Sequence, residues 1–272
     1  MSAPLIHHTI HPGADPTVVL VHGMACDESD WREQVAFFSA RGQRVITVDL
    51  RGHGQSSHFD TNLDMTTMGA DVAEVLAAHD VRAAVIAGHS MGCRVVTEAA
   101  LQADGRIGAV VLVDGSRFAK GDPDAAVATV QTAIEQRGFA NHMSLMFDAM
   151  FLPGADQRMK QTIIDRAAAR PEHLGLPIML AMIRWDAALF EARYGALRAP
   201  VHVLQSSHVN ESRQRVALTD DMEIPWHADL VDAGVEVAFE RVPDCGHFTM
   251  LDAPEHVNAV LADVVGTYAR HI

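Results

Sequence analysis

The chain has 272 residues, 49% of them apolar, and a formal charge of −14 at pH 7. That length and apolar content suffice for a large buried core, as one α/β domain or one domain carrying an insertion. The acidic balance argues against nucleic acid or an anionic membrane as partner. The three cysteines, Cys26, Cys93 and Cys245, have no spacing that points to zinc or a redox pair, which fits free thiols in a reducing compartment.

The opening MSAPLIHHTIHPGADP lacks a basic-then-apolar leader pattern, and no apolar run approaches 18 residues, so the expectation is a soluble, cytoplasmic protein. LIHHTI (5–10) is a weak alternating run suited to an edge strand. TVVLV (17–21) is a continuous apolar run of the buried-strand kind, followed by His22, Gly23 and Met24, where the glycine lets the chain turn closely. RVITV (44–48) repeats the pattern and leads into VDLRGHGQS (48–56), a second glycine-shaped loop. In that loop Asp49, Arg51 and Ser56 read as scaffold, while the role of His53 stays open.

AAVIAGHSMGCRVV (83–96) carries the strongest signal. An apolar run, Ala84 to Ala87, gives way to Val95, Val96, Ala99 and Ala100 at helical spacing, so Ser90 falls at the apex of a strand–turn–helix. Gly88 and Gly92 flank it at two residues on either side, and a strained turn pressed between strand and helix needs such small neighbours. The turn lifts the hydroxyl clear of the sheet and aims the first helical N–H groups at whatever it attacks, which makes Ser90 a candidate nucleophile.

GAVVLV (108–113) is another buried-strand run, ending at Asp114 in a short turn. From 118 to 197 no convincing strand occurs; helical patterns follow one another, separated by Gly and Pro. A structureless connection of that length is rare in a compact domain, so the stretch reads as a helical insertion, with the core at 1–117 and 198–272. It is rich in Met and aromatic residues, and Met143, Met146, Phe147, Met150 and Trp185 are expected pocket walls, together with His22, Gly23 and Phe248. PVHVL (200–204) and VEVAFERV (235–242) supply the last strands.

A serine hydroxyl needs a base, and the base needs an orienting acid. His247, in PDCGHF after the last strand, is the expected base, because carboxyl ends of parallel strands collect on one edge of the sheet. His89, beside Ser90, reads as structural. For the acid, Asp114 is favoured; the alternative is Glu211, the first carboxylate in QSSHVNESRQRV. The oxyanion of a tetrahedral intermediate needs backbone donors, expected from Met91 and Met24. There is no HExxH, HxHxDH or CxxC pair, no phosphate loop and no dinucleotide fingerprint, so no metal and no cofactor are expected.

His22-Gly23, the DLRGHGQS loop, GHSMG around Ser90, the helical stretch and GHF ending at 248 together resemble the α/β-hydrolase fold superfamily, over nearly the whole chain from about residue 15. The resemblance implies a doubly wound, mostly parallel sheet with a helical cap inserted before the penultimate strand. The N-terminus leaves room for one strand before TVVLV, so seven strands are expected rather than eight. Commoner members carry the acid after the strand before the last, where this chain has no Asp; Asp114 matches the alternative position used by some lipases, haloalkane dehalogenases and zearalenone lactone hydrolases. Ser at position 90 separates the chain from dehalogenases and epoxide hydrolases, which use Asp there. Phe248 separates it from the carbon–carbon bond hydrolases that have Trp after the histidine. The leading expectation is therefore an esterase or lactonase of moderate-sized apolar small molecules. A cofactor-free dioxygenase or carbon–carbon bond cleaving enzyme using His247 as base, and a non-enzymatic ligand receptor, are the alternatives, and a homodimer is left open.

Overall fold

Val18, Val19, Leu20 and Val21 are successive residues with no exposed surface, and so are Val110 to Val113. Because successive strand residues point to opposite faces, both faces of these strands are covered. The computed structural model describes residues 5–103, 105–210 and 214–268. Its strands are β1 His8–His11, β2 Ala14–Val21, β3 Gln43–Val48, β4 Ala84–His89, β5 Ile107–Val113, β6 Val201–Gln205, β7 Ser207–Val209, β8 Arg215–Ala217 and β9 Val237–Arg241. Seven of them form one sheet in the order β1-β3-β2-β4-β5-β6-β9. β1 is antiparallel to β3, and all other pairings in that sheet are parallel. The seven-stranded, mostly parallel sheet is the one expected, with a single strand preceding the TVVLV run.

The helices are α1 Arg32–Ser39, α2 Met65–Ala78, α3 Gly92–Gln102, α4 Pro123–Arg137, α5 Phe139–Asp148, α6 Gln157–Ala168, α7 Glu172–Ala188, α8 Phe190–Gly195, α9 Pro225–Asp232, α10 Thr249–Asp252 and α11 Pro254–Tyr268. α2 packs with α3, which lies against β2, β4 and β5, and α1 packs with α11, which meets the same three strands. The stretch 118–197 contains α4 to α8 and no strand. Its helix starts are set by polar caps: Asp122 accepts from Asp124 N–H ahead of Pro123, and Asp156 accepts from Met159 N–H.

One element was not expected. β7 and β8 form a two-stranded antiparallel ribbon where the sequence reads as a loop after β6. Three-residue strands carry too little periodicity to be recognised, and this pair lies outside the main sheet. Glu211 lies outside the described residues.

Strand order reverses between β2 and β4, since the chain goes from β2 outward to β3 and then returns to the other side. At such a switch point the loops leaving the carboxyl ends diverge and open a crevice. The two loops that flank it carry Gly23 and Met24 after β2 and Ser90 after β4.

Candidate active site

Ser90 has φ of 55°, a left-handed conformation, one residue past β4. The turn fits here because the residues two positions away on either side, Gly88 and Gly92, lack side chains. A Cβ on Gly92 would come within 2.7 Å of the Val21 and His22 carbonyl oxygens, and one on Gly88 would overlap the Gly92 carbonyl. The Ser90 N–H donates to Val113 O at 3.0 Å, tying the turn to the end of β5.

His247 Nε2 lies 2.8 Å from Ser90 Oγ, and His247 Nδ1 lies 2.6 Å from Asp114 Oδ2. With Nδ1–H donating to the carboxylate, Nε2 is left to accept the serine proton. Burial alone would raise the Asp114 pKa, but the hydrogen bond and charge of His247, the charge of Arg215 and the Ser206 N–H hold it below the usual carboxylate range. Asp114 Oδ1 accepts from Ser206 N–H at 2.9 Å and from Ser206 Oγ at 2.8 Å, so Ser206, directly after β6, anchors an acid that follows β5. Burial pushes the His247 pKa down; Asp114 opposes that push, and the charges of Arg215 and Arg94 add to it.

The loop that carries Met24 is fixed by two neutral imidazoles. His22 donates from Nδ1 to Gly23 O at 2.7 Å and accepts Leu50 N–H on Nε2 at 3.0 Å. His53 accepts Ala25 N–H on Nε2 at 3.2 Å, with its Nδ1 3.0 Å from Arg51 O. Burial lowers the pKa of both rings. The Met24 and Met91 N–H groups donate to no acceptor among the described residues. His89 is structural in the expected sense: its Nε2 lies 2.8 Å from His247 O, and burial, with the neighbouring His247, pushes its pKa down to about 3.

Two cavities meet at His247. The one above Ser90 is only about 10 Å³, room for a single water, and is lined by Gly23, Met24, Phe147, Met150, Met182 and Phe248 among others. The other, about 350 Å³, shares Phe118, Met146, Met150 and His247 with it.

The sequence profile of the Alpha/beta hydrolase family matches residues 18–260. The chain belongs to that family. Among curated proteins this alpha/beta hydrolase is 44% identical to a non-heme chloroperoxidase from Streptomyces lividans, over 97 residues that span 35% of each chain. Among solved structures it resembles an esterase from Exiguobacterium antarcticum with a TM-score of 0.78 at 18% identity, covering 96% of this chain and 95% of the other. It likewise resembles the enol-lactonase from Burkholderia xenovorans, TM-score 0.72 at 20% identity, covering 95% of each chain. At such identities the structural likeness speaks for the fold.

Three of the expected pocket residues lie elsewhere in this alpha/beta hydrolase. Met143, on α5, has no exposed surface and lines neither cavity. Trp185 donates its Nε1–H to Glu98 at 2.7 Å and packs edge-on to Phe190 and Tyr194, which turns it toward α3. His22 is turned back onto its own loop. Gly23, Met146, Phe147, Met150 and Phe248 do line the space around Ser90.

A buried ion pair behind Ser90 has no counterpart among the residues singled out from the sequence. Arg94 on α3 holds both oxygens of Asp186 on α7 at 2.7 and 2.6 Å, and it donates to Ser116 O at 2.7 Å. Asp186 in turn accepts Phe118 N–H at 2.8 Å, so the inserted helices are tied to α3, the helix that follows Ser90. Nothing marks the pair in sequence, because its members lie 92 residues apart.

Among the described residues one group has metal-like grouping, His7, Glu28 and Asp49. Its oxygens are already engaged: Asp49 accepts Glu28 N–H and Gln55 N–H, and Glu28 accepts from Thr9 and Thr47. No helix of the described residues is long and apolar enough to cross a membrane.

Proposed function

We propose that the protein is a serine hydrolase that cleaves carboxylic esters or lactones of moderate-sized, largely apolar substrates through an acyl-enzyme on Ser90. The observation that carries this reading is the continuous chain Ser90 Oγ, His247, Asp114, with links of 2.8 and 2.6 Å. Ser90 Oγ attacks the carbonyl carbon while His247 Nε2 takes its proton; His247 then returns that proton to the departing alkoxide. Water deacylates the enzyme by the same route in reverse. Asp114 stays ionised and holds the imidazolium that forms in each half.

The Met24 and Met91 N–H groups, which have no acceptor among the described residues, support acyl transfer over proton abstraction alone, since a developing oxyanion needs such donors. Each is expected to contribute on the order of 3 kcal/mol to the transition state. Ester turnover by the parent and by Ser90→Ala tests the reading. Loss of at least about 10³-fold in kcat is expected; a variant that retains the parent rate contradicts it.

A further inference from the structure

The 350 Å³ cavity beside His247 is walled largely by apolar side chains such as Phe118, Met146, Met150 and Ile224, yet it holds a guanidinium, Arg215, from β8. Two cations line this space and they differ in one respect. Arg117 is committed: its Nη2 pairs with Glu191 at 2.7 Å and its Nε donates to the Ala119 and Asp186 carbonyls at 3.2 Å. Arg215, its side chain only 12% exposed, has Nη1 on Ser207 Oγ at 2.8 Å and Nε on Ala149 O at 3.3 Å, both neutral acceptors.

The carboxylate nearest to Arg215 among the described residues is Asp114, at 3.6 Å. That distance is beyond a hydrogen bond, and Oδ2 of Asp114 is already taken by His247 and Ser207. Arg215 Nη2 has no partner among the described residues. Asp114 gives Arg215 a nearby charge at 3.6 Å but no hydrogen bond, so a ligand carboxylate reaching Nη2 would make the close, hydrogen-bonded contact that these residues leave open.

We propose that Arg215 binds a carboxylate of the substrate, so that the preferred esters or lactones carry a free carboxylate a short apolar chain away from the scissile carbonyl. This rests on the ester and lactone reading for Ser90, and it adds the substrate class. The guanidinium fork matches a carboxylate, the methionine and phenylalanine walls suit the carbon chain between the two groups, and His247, common to both cavities, marks where the reacting end lies.

Two measurements with monoethyl glutarate, whose free end is ionised at pH 7.5, and neutral diethyl glutarate test the proposal. In Ser90→Ala, calorimetry is expected to show the half-ester bound about tenfold or more tighter than the diester, with the preference lost in Ser90→Ala/Arg215→Gln and partly kept in Ser90→Ala/Arg215→Lys. Equal binding of the two ligands, or a preference that survives without Arg215, overturns it. In the enzyme with Ser90 intact, the ratio of kcat/KM for half-ester over diester is expected to collapse by about tenfold or more in Arg215→Gln. If both rates fall by the same factor, Arg215 acts only through Asp114 and the proposal is wrong. A parent that cleaves neither ester, while Ser90→Ala still binds the half-ester through Arg215, contradicts the hydrolase reading and upholds the carboxylate site.

Discussion

Asp114 and Ser206 join two strand ends: the carboxylate that follows β5 accepts both the N–H and the hydroxyl of the residue that follows β6, at 2.9 and 2.8 Å. The strand end where commoner members of the family place the acid thus supplies donors to an acid placed one strand earlier. Ser206 Oγ also reaches Gly246 O at 2.7 Å and Thr249 Oγ1 at 2.8 Å, which fixes the loop bearing His247 against the same point.

Asp114→Asn is expected to lower kcat by about 10³–10⁴-fold while the protein stays folded, because the amide no longer holds the imidazolium or its tautomer. Glu211→Gln is expected to leave kcat within about twofold, since His247 Nδ1 is already occupied by Asp114. Ester turnover of the two variants, with circular dichroism as a folding check, decides it; a severe loss in Glu211→Gln alone would reverse the assignment.

The acid limb of kcat/KM against pH is expected below 6.5, the ordinary value for histidine, because burial lowers the His247 pKa and the base must be neutral to act. Stability follows the same sign. His22, His53, His89 and His247 are buried with folded pKa values below those of the unfolded chain. Below pH 6.5 the unfolded state binds the extra protons, so stability is full above that pH and is lost as pH falls. Each ring contributes up to about 1.4 kcal/mol per pH unit, continuing toward about pH 3 for His89. Urea midpoints that are flat between pH 7.5 and 5 would contradict this.

Gly23→Ala would place a Cβ 3.0 Å from His89 Nδ1 and 3.2 Å from Ser90 Cβ. The fold should survive a shift of a few tenths of an ångström, but the Met24 N–H and the nucleophile would be displaced relative to each other. The expected result is a fall in kcat of about tenfold or more with a melting temperature close to the parent. A large loss of stability with full specific activity in the folded fraction would count against the placement.

Asp186→Asn removes one member of a pair whose side chains are 1% and 0% exposed. Leaving Arg94 buried without its counter-charge is expected to destabilise the protein by about 3–5 kcal/mol. Arg94→Met with Asp186→Leu should recover most of that loss. Denaturant titration of the single and double variants checks both statements.

Ser90 was legible because a strained turn restricts residue types within five positions, so local sequence holds the whole constraint. His247 and Asp114 were legible because a parallel sheet gathers strand ends on one edge, which leaves few candidates. The pocket walls were not. Met143 and Met146 lie one helical turn apart on α5, yet one faces the interior and the other the cavity, and both positions favour the same apolar chemistry. Trp185 was misplaced for a related reason, since only the tertiary contact with Glu98 decides which way the indole turns. Arg215 was invisible because it depends on a ribbon of two three-residue strands.

The central claim is that Ser90 is an activated nucleophile, and a fluorophosphonate probe with the adduct located by peptide mass spectrometry tests it most directly. The account predicts labelling at Ser90 in the parent and none in His247→Ala. Folded parent protein that takes up no label, or labelling that persists in His247→Ala, would contradict it.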